Sequence, residues 1–297
     1  MSKKVIYTDS KRALLFLIPT LVAALAFLYY PAAEALFTSL HYTVVFGERT
    51  QFVGLENYAQ LLNSDRYINS ITITAIFSIV VVIGTMSVSL VISMLIDSVN
   101  KYQRFYLVSA IWPYALPPAV AATVFLLLFH PSTGPVNFII DSLTGVRFNW
   151  LSNNYFAFIF ISVIAIWKQI GYNVIFMIAA LSTIPTEIRE ATKIDGVGLI
   201  KRGIFIYSPL ISPTLIFLLV MNTVYAFFGV YPIIDLTTQG GPNGSTNILI
   251  YELTRDAFTF GNHDLASAQS VLLFLFVGAI MAFQIYLTDE YIHYGGG

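Results

Sequence analysis

The sequence predicts an all-α, polytopic membrane protein with six transmembrane helices. Three observations carry that prediction. Hydrophobic types make up 57% of the 297 residues and charged types 10%, against roughly 25% charged in soluble domains. The apolar residues gather in blocks of about 20 or more, the length that crosses a hydrocarbon core. The charges sit between the blocks, and Lys and Arg crowd onto alternate connections, as the positive-inside rule demands.

The first span covers residues 13–33 and follows Lys3, Lys4, Lys11 and Arg12. With Ala33-Glu34-Ala35 at its end it imitates a signal peptide, but it exceeds a usual apolar region of about 7–15 residues. It is therefore expected to stay as a helix. The second span, 68–96, lies between Arg66 and Asp97, and the third, 105–129, between Arg104 and His130. The third contains Pro113, Pro117 and Pro118. Prolines break a helical ladder, which is tolerated at membrane depth where the backbone lines a cavity or is buried in protein. The fourth span, 155–184, holds Lys168, the only charge inside a span. The fifth is 209–231 and the sixth 266–288. Together they read as one transmembrane domain over 1–297.

Ten basic residues fall on one side: those of the N-terminal tail, Lys101 and Arg104, and Arg189, Lys193, Lys201 and Arg202. The other side carries Arg49, Arg66, Arg147 and Arg255. Both termini and the 189–202 connection are expected in the cytoplasm. The long connections 40–67 and 232–265 then face outward.

Several chemistries are disfavoured. The net charge of −1 comes with no basic stripe, so nucleic-acid binding has no support. There is no cysteine, and His41, His130, His263 and His293 are scattered, so no metal site and no catalytic residue is expected. No H-E-x-x-H and no pair of Asp within spans suggests a membrane-embedded enzyme. A secondary transporter or channel is the other alternative, but the spans hold no acid for proton or sodium coupling.

The connection after the fourth span is the most informative. Ile184-Pro185-Thr186 opens it, with Thr186 a good N-cap and Glu187 and Glu190 in the first turn, where the dipole favours acid. Ile188, Ala191 and Ile194 recur at spacing three as a narrow apolar stripe. Gly196 terminates the helix, with a φ above zero expected. Asp195, where the dipole disfavours an acid, is expected to be held by a local hydrogen bond. A second short helix then leads back to the membrane at Pro209. On these residues alone an interfacial helix filling a loop is as good a reading as a docking element.

The spacing Glu190-Ala191-Thr192, two residues, Asp195-Gly196, and thirteen residues on Pro209-Leu210 resembles the "EAA" loop of ATP-binding-cassette import permeases. Thr192 replaces the second Ala of that pattern, and Gly203 stands where an aromatic is common. The resemblance extends to Phe52–Tyr58, Trp112–Ala122 and Gly240-Gly241-Pro242 with Thr246, as in permeases of the sugar type. Trp167–Asn173 and Val224–Phe228 look like the A-type permease subunits of glycerol-3-phosphate importers, except that Gly229 replaces an acid.

The resemblance implies a type I importer permease fold in a bacterial inner membrane. Glu190, Ala191, Asp195 and Gly196 would form the coupling loop that docks on an ATPase. ATP and Mg would be bound by two partner ATPase subunits, and this chain has no G-x-x-x-x-G-K-[ST] of its own. A second, similar permease and an extracytoplasmic solute-binding protein are the other implied partners. The substrate would be sn-glycerol-3-phosphate or a related glycerophosphodiester, with a neutral sugar of the maltose or trehalose kind as the alternative. Gly240-Gly241-Pro242-Asn243-Gly244 is a turn on its residues, and by resemblance part of the surface that meets the binding protein. Lys168, Asn173, Asn222 and Tyr225 are candidates for the substrate path. A Lys at that depth costs roughly 2.5–3.5 kcal/mol on insertion scales, so it must face either an anionic substrate or a packing partner. The two Asn and the Tyr serve equally well as contacts between helices.

Overall fold

The computed structural model describes residues 10–44, 49–99 and 101–289. In chain order the elements are α1 Ser10–Ala24, a π-helical turn Leu25–Tyr29, α2 Tyr30–Ser39, strands β1 His41–Val44 and β2 Arg49–Phe52, α3 Glu56–Leu62 and α4 Asp65–Ser98. There follow α5 Gln103–Ala115, α6 Pro118–Leu128, α7 Pro135–Thr144, α8 Asn154–Ser182, α9 Thr186–Ile194 and α10 Leu199–Lys201. A second π turn, Arg202–Tyr207, leads to α11 Ser208–Leu210 and α12 Ser212–Val224. A third, Tyr225–Gly229, leads to α13 Tyr231–Thr237, then α14 Leu249–Phe258 and α15 His263–Asp289.

Among the described residues five helices are long and apolar enough to cross a membrane, and six if the bent pair α5–α6 counts as one. The apolar runs of the sequence fall on these helices. The fifth extends past its apolar run to Thr237, and the third is two helices at 98°. By contacts the chain divides into Met1–Asn63 with Asp256–Leu272, and Ser64–Arg255 with Leu273–Gly297.

In the first unit, the helix from Phe16 to Ser39 exposes its apolar side chains, Phe16 80% and Phe27 84%. The connection after α2 is more ordered than its polar sequence suggests. β1 and β2 pair antiparallel, with His41 opposite Phe52. Asn57 donates to the carbonyls of Ser39 (2.9 Å) and His41 (3.0 Å), and the Tyr58 hydroxyl donates to Ser39 Oγ at 2.7 Å. The first of these bonds satisfies the Ser39 carbonyl at the end of α2, which lacks a helical partner.

In the second unit, α4 and α5 pack along α8, and α6 packs on α13. Ser70, Thr74, Ser78, Thr85, Ser89 and Ser93 line the buried face of α4 at steps of four or seven residues. Small residues let helix backbones approach where lipid removes the hydrophobic drive. Gly84 keeps α4 close to Ile166 on α8, whose Cδ1 an added Cβ would meet at 2.6 Å. Gly171 on α8 does the same for α5, because its Cβ would meet the Ile111 carbonyl at 2.8 Å. Phe77, Val81, Ile161, Ile164, Ala226, Val230 and Ile234 fill the core between these helices.

Each of the three π turns among the described residues precedes a proline. Pro31, Pro209 and Pro232 have Phe27, Phe205 and Phe228 four residues before them, and each Phe lies inside a π turn. A proline donates no N–H and presses its ring on the carbonyl four residues back. Widening that turn relieves the clash while the helix continues.

Candidate functional site: coupling loop and intramembrane polar contacts

α9 begins one residue earlier than its sequence suggests. Pro185 is the N-cap and makes no side-chain bond; Thr186 is the first helical residue, as proline supplies a fixed φ suited to the entry. The helix ends in a Schellman turn: Gly196 has φ +65, its N–H donates to the Lys193 carbonyl (3.2 Å), and the Val197 N–H donates to that of Thr192 (3.1 Å). Asp195 is the C-cap. Its exposed carboxylate makes no hydrogen bond among the described residues, contrary to expectation, because the backbone alone closes the turn.

The expected apolar stripe also divides. Residues three apart on a helix drift by about 60° per step, so Ile194 points about 120° away from Ile188. Ile188 packs on Met94, Leu181, Ile184, Tyr207 and Ile211, whereas Ile194 is 85% exposed. Glu187, Glu190, Ala191 and Lys193 are exposed with it. The outer face of α9 is thus mixed acidic, basic and apolar.

Arg189 fixes the inner face, a role the sequence did not reveal. Its Nη1 donates to Asp97 Oδ2 at the end of α4 (2.8 Å). Nη2 donates to the Leu181 carbonyl and Nε to the Ile184 carbonyl (3.3 Å). The guanidinium lies 5.9 Å from the Tyr207 ring centre, with Arg202 over the same ring at 5.6 Å. Gly203 is explained by a neighbour, since a Cβ there would collide with the Met94 sulfur.

Within the membrane-spanning helices the four path candidates all meet other helices. Pro117 and Pro118 carry no N–H, so the carbonyls of Pro113 and Tyr114 lose their ordinary donors. Leu116 N–H reaches the Pro113 carbonyl at 3.3 Å. Lys168, 5% exposed, reaches the Tyr114 carbonyl at 2.8 Å, with the Tyr114 ring 4.7 Å away. Its cation sits at the C-terminal end of α5, where the helix dipole favours it. Asn173 and Asn222 are fully buried and exchange two amide bonds, 3.0 Å and 2.7 Å. The Tyr225 hydroxyl donates to the Ala165 carbonyl at 3.2 Å. Beside them an aromatic run crosses from α5 over α8 to α12: Tyr114 with Tyr172, Tyr172 with Phe176, and Phe176 with Phe217, at 5.4, 4.9 and 5.2 Å.

The Gly240–Gly244 turn is braced against α4. Gly240 and Gly244 adopt positive φ. Thr246 Oγ1 donates to the Gly241 carbonyl and lies 2.7 Å from Thr238 Oγ1, and Asn69 donates to the Gly244 carbonyl at 3.0 Å. Below the turn Glu252 is buried, paired with Arg66 and, at 2.7 Å, with Arg255. Asn247 bridges Glu252 (2.7 Å) to Ser70 (2.8 Å). A cavity of about 470 Å³ opens among Arg66, Asn69, Gly240, Asn247 and Arg255. Burial pushes the nearby Tyr251 hydroxyl above its ordinary pKa, against the pull of Arg255.

Residues 89–290 match the family described as binding-protein-dependent transport system inner membrane component. The sn-glycerol-3-phosphate transport system permease protein UgpA of Rhizobium meliloti (strain 1021) is 37% identical over 293 residues, 99% of this chain and 100% of that protein. The protein of the same name from Salmonella typhimurium (strain LT2) is 39% identical over 280 residues, 94% of this chain and 95% of that one. Among solved structures, a bacterial ABC transporter involved in the import of the acidic polysaccharide alginate aligns with a TM-score of 0.81 at 21% identity, over 95% of this chain and 97% of that chain. The alginate transporter in complex with an alginate pentasaccharide-bound periplasmic protein gives 0.83 at 22% identity, over 96% and 97%. These two likenesses show the fold, that of a type I importer permease.

Proposed function

This chain belongs to the binding-protein-dependent transport inner membrane components, and on that premise we propose that it carries sn-glycerol-3-phosphate or a related glycerophosphodiester across the inner membrane, driven by ATP. The observation that supports the substrate is likeness along the whole chain to permeases named for it. The ATP would be hydrolysed by a pair of partner ATPase subunits docked on the exposed face of α9, around Glu190, Ala191, Asp195 and Gly196. A second permease subunit would complete the pathway, and a solute-binding protein would deliver substrate to the outward turn. Both termini would be cytoplasmic. Closing of the ATPases would move α9, and rigid-body gating would expose the pathway to each side in turn.

A neutral sugar of the maltose or trehalose kind is the second reading, and one observation favours it. Lys168 is nearly buried and gives a donor to the Tyr114 carbonyl, so among the described residues no intramembrane cation stands open to a phosphate. At Gly229, where an acid was expected, a Cβ would lie 2.5 Å from the Tyr225 ring. The path residues Lys168, Asn173, Asn222 and Tyr225 would then shape the pathway by holding its helices.

The test is uptake into proteoliposomes. The assembled importer should take up radiolabelled sn-glycerol-3-phosphate only with ATP inside and binding protein outside. The chain alone should neither transport nor hydrolyse ATP. Uptake by the chain alone on an ion gradient would overturn the importer reading, and uptake of maltose in preference would select the second.

A further inference from the structure

The outer face of α9 is free for a partner, but its inner face needs a rigid connection if a push there is to reach the membrane. Among the described residues that connection is polar at one side chain. Arg189 joins α9 to the end of α4 through Asp97 and to the end of α8 through the Leu181 carbonyl, and it holds the Ile184 carbonyl of the link between α8 and α9. Its planar fork fixes several directions at once, which a lysine cannot do. Asp97 has its own reason to hold on. It lies in the last turn of α4, where the dipole disfavours an acid, and the Arg189 cation offsets that.

The other end of α4 carries Arg66 and Asn69, which hold Glu252 and the Gly244 carbonyl of the outward turn. A helix of 34 residues spans about 50 Å. A shift applied at Asp97 would travel along α4 to the outward turn without passing through a loop.

We propose that Arg189 is the positioning residue that transmits movement of α9 to α4 and α8, with the Asp97 ion pair as its link to α4. The proposal rests on α9 being the ATPase-docking element. It concerns coupling, not docking, because Arg189 faces inward while Glu190 and Ile194 face out.

The test uses the assembled importer in proteoliposomes with Asp97→Asn, Asp97→Glu and Arg189→Lys. The readouts are ATPase co-purification, ATP hydrolysis, and radiolabelled sn-glycerol-3-phosphate or maltose imported per ATP, whichever the wild type takes. Asp97→Asn and Arg189→Lys should keep the ATPase bound but import about fivefold less solute per ATP, within the usual range of coupling between sites. Asp97→Glu should restore most of it. Wild-type import per ATP in both would overturn the proposal. So would loss of the ATPase in both, since Arg189 would then only shape the docking surface. Glu190→Lys and Gly196→Val are the separate controls: if both leave the ATPase bound and stimulated, the docking reading fails, whatever Asp97→Asn does.

Discussion

Lys168 on α8 donates its Nζ to the carbonyl oxygen of Tyr114 on α5, 2.8 Å away. That oxygen is the one whose helical donor would be Pro118, a residue with no N–H. The intramembrane cation therefore completes a broken helix.

Lys168→Met should accordingly act on stability. Loss of a charge-assisted bond to a buried carbonyl costs about 1.5–3 kcal/mol, so the permease should melt earlier in detergent. Uptake of anionic and neutral solutes should fall together. An unchanged melting temperature with loss confined to the anion would instead assign Lys168 to the substrate.

The Asn173–Asn222 pair predicts non-additivity. Each single change to Leu strands a buried amide, costing about 1–2 kcal/mol between membrane helices. The double change removes both amides and should cost less than the sum. A double-mutant cycle on unfolding in mixed micelles reads this directly, and strict additivity would show that the two do not depend on each other.

On α9, Glu190→Lys changes an exposed side chain and should leave the fold intact while detaching or uncoupling the ATPase. Gly196→Val forces a branched residue into the left-handed region, at about 1–2 kcal/mol, and should deform the Schellman turn. Co-purification of the ATPase and substrate-stimulated hydrolysis measure both. Wild-type values in both variants would reduce α9 to an interfacial filler.

Gly203 offers a packing test. Restoring the aromatic common at this position, as Gly203→Phe, should drive the ring into Met94 and destabilise the loop by about 1–3 kcal/mol, as overpacking does. Adding Met94→Ala should recover much of the loss. Thermal melting of the two variants decides it, and equal damage in both would mean that the backbone, not Met94, selects glycine.

The spans were legible because apolar blocks and charges separate cleanly along the chain. The Gly196 turn was legible because a left-handed exit leaves a mark on residue type. The β1–β2 hairpin was not, since its strands are short and partly polar. Asn173 and Asn222 looked equally like ligands and packing groups, because a buried amide has one chemistry for both. Arg189 was counted only as a loop charge, and Glu252 went unmarked. Their partners Asp97 and Arg66 lie far off in sequence, 92 residues in the first case, and no local pattern announces such a pair. The stripe on α9 misled for a different reason: spacing three alone, without four, winds around a helix instead of keeping to one side.

The three phenylalanine–proline steps give these helices slack. In a regular α-helix every N–H is committed, so twisting one end against the other strains the whole ladder. A π turn holds one residue more than the regular ladder requires. Its N–H groups can exchange one carbonyl for the next, and the surplus residue can migrate along the helix as bonds are traded singly. The fifth span carries one such turn, Tyr225–Gly229, between α12 and α13, while Arg202–Tyr207 lies ahead of the span, separated from α12 by α11 and Ile211. Bond exchange of this kind at Tyr225–Gly229 would let α12 and α13 adjust their twist against each other while the helix between them stays continuous.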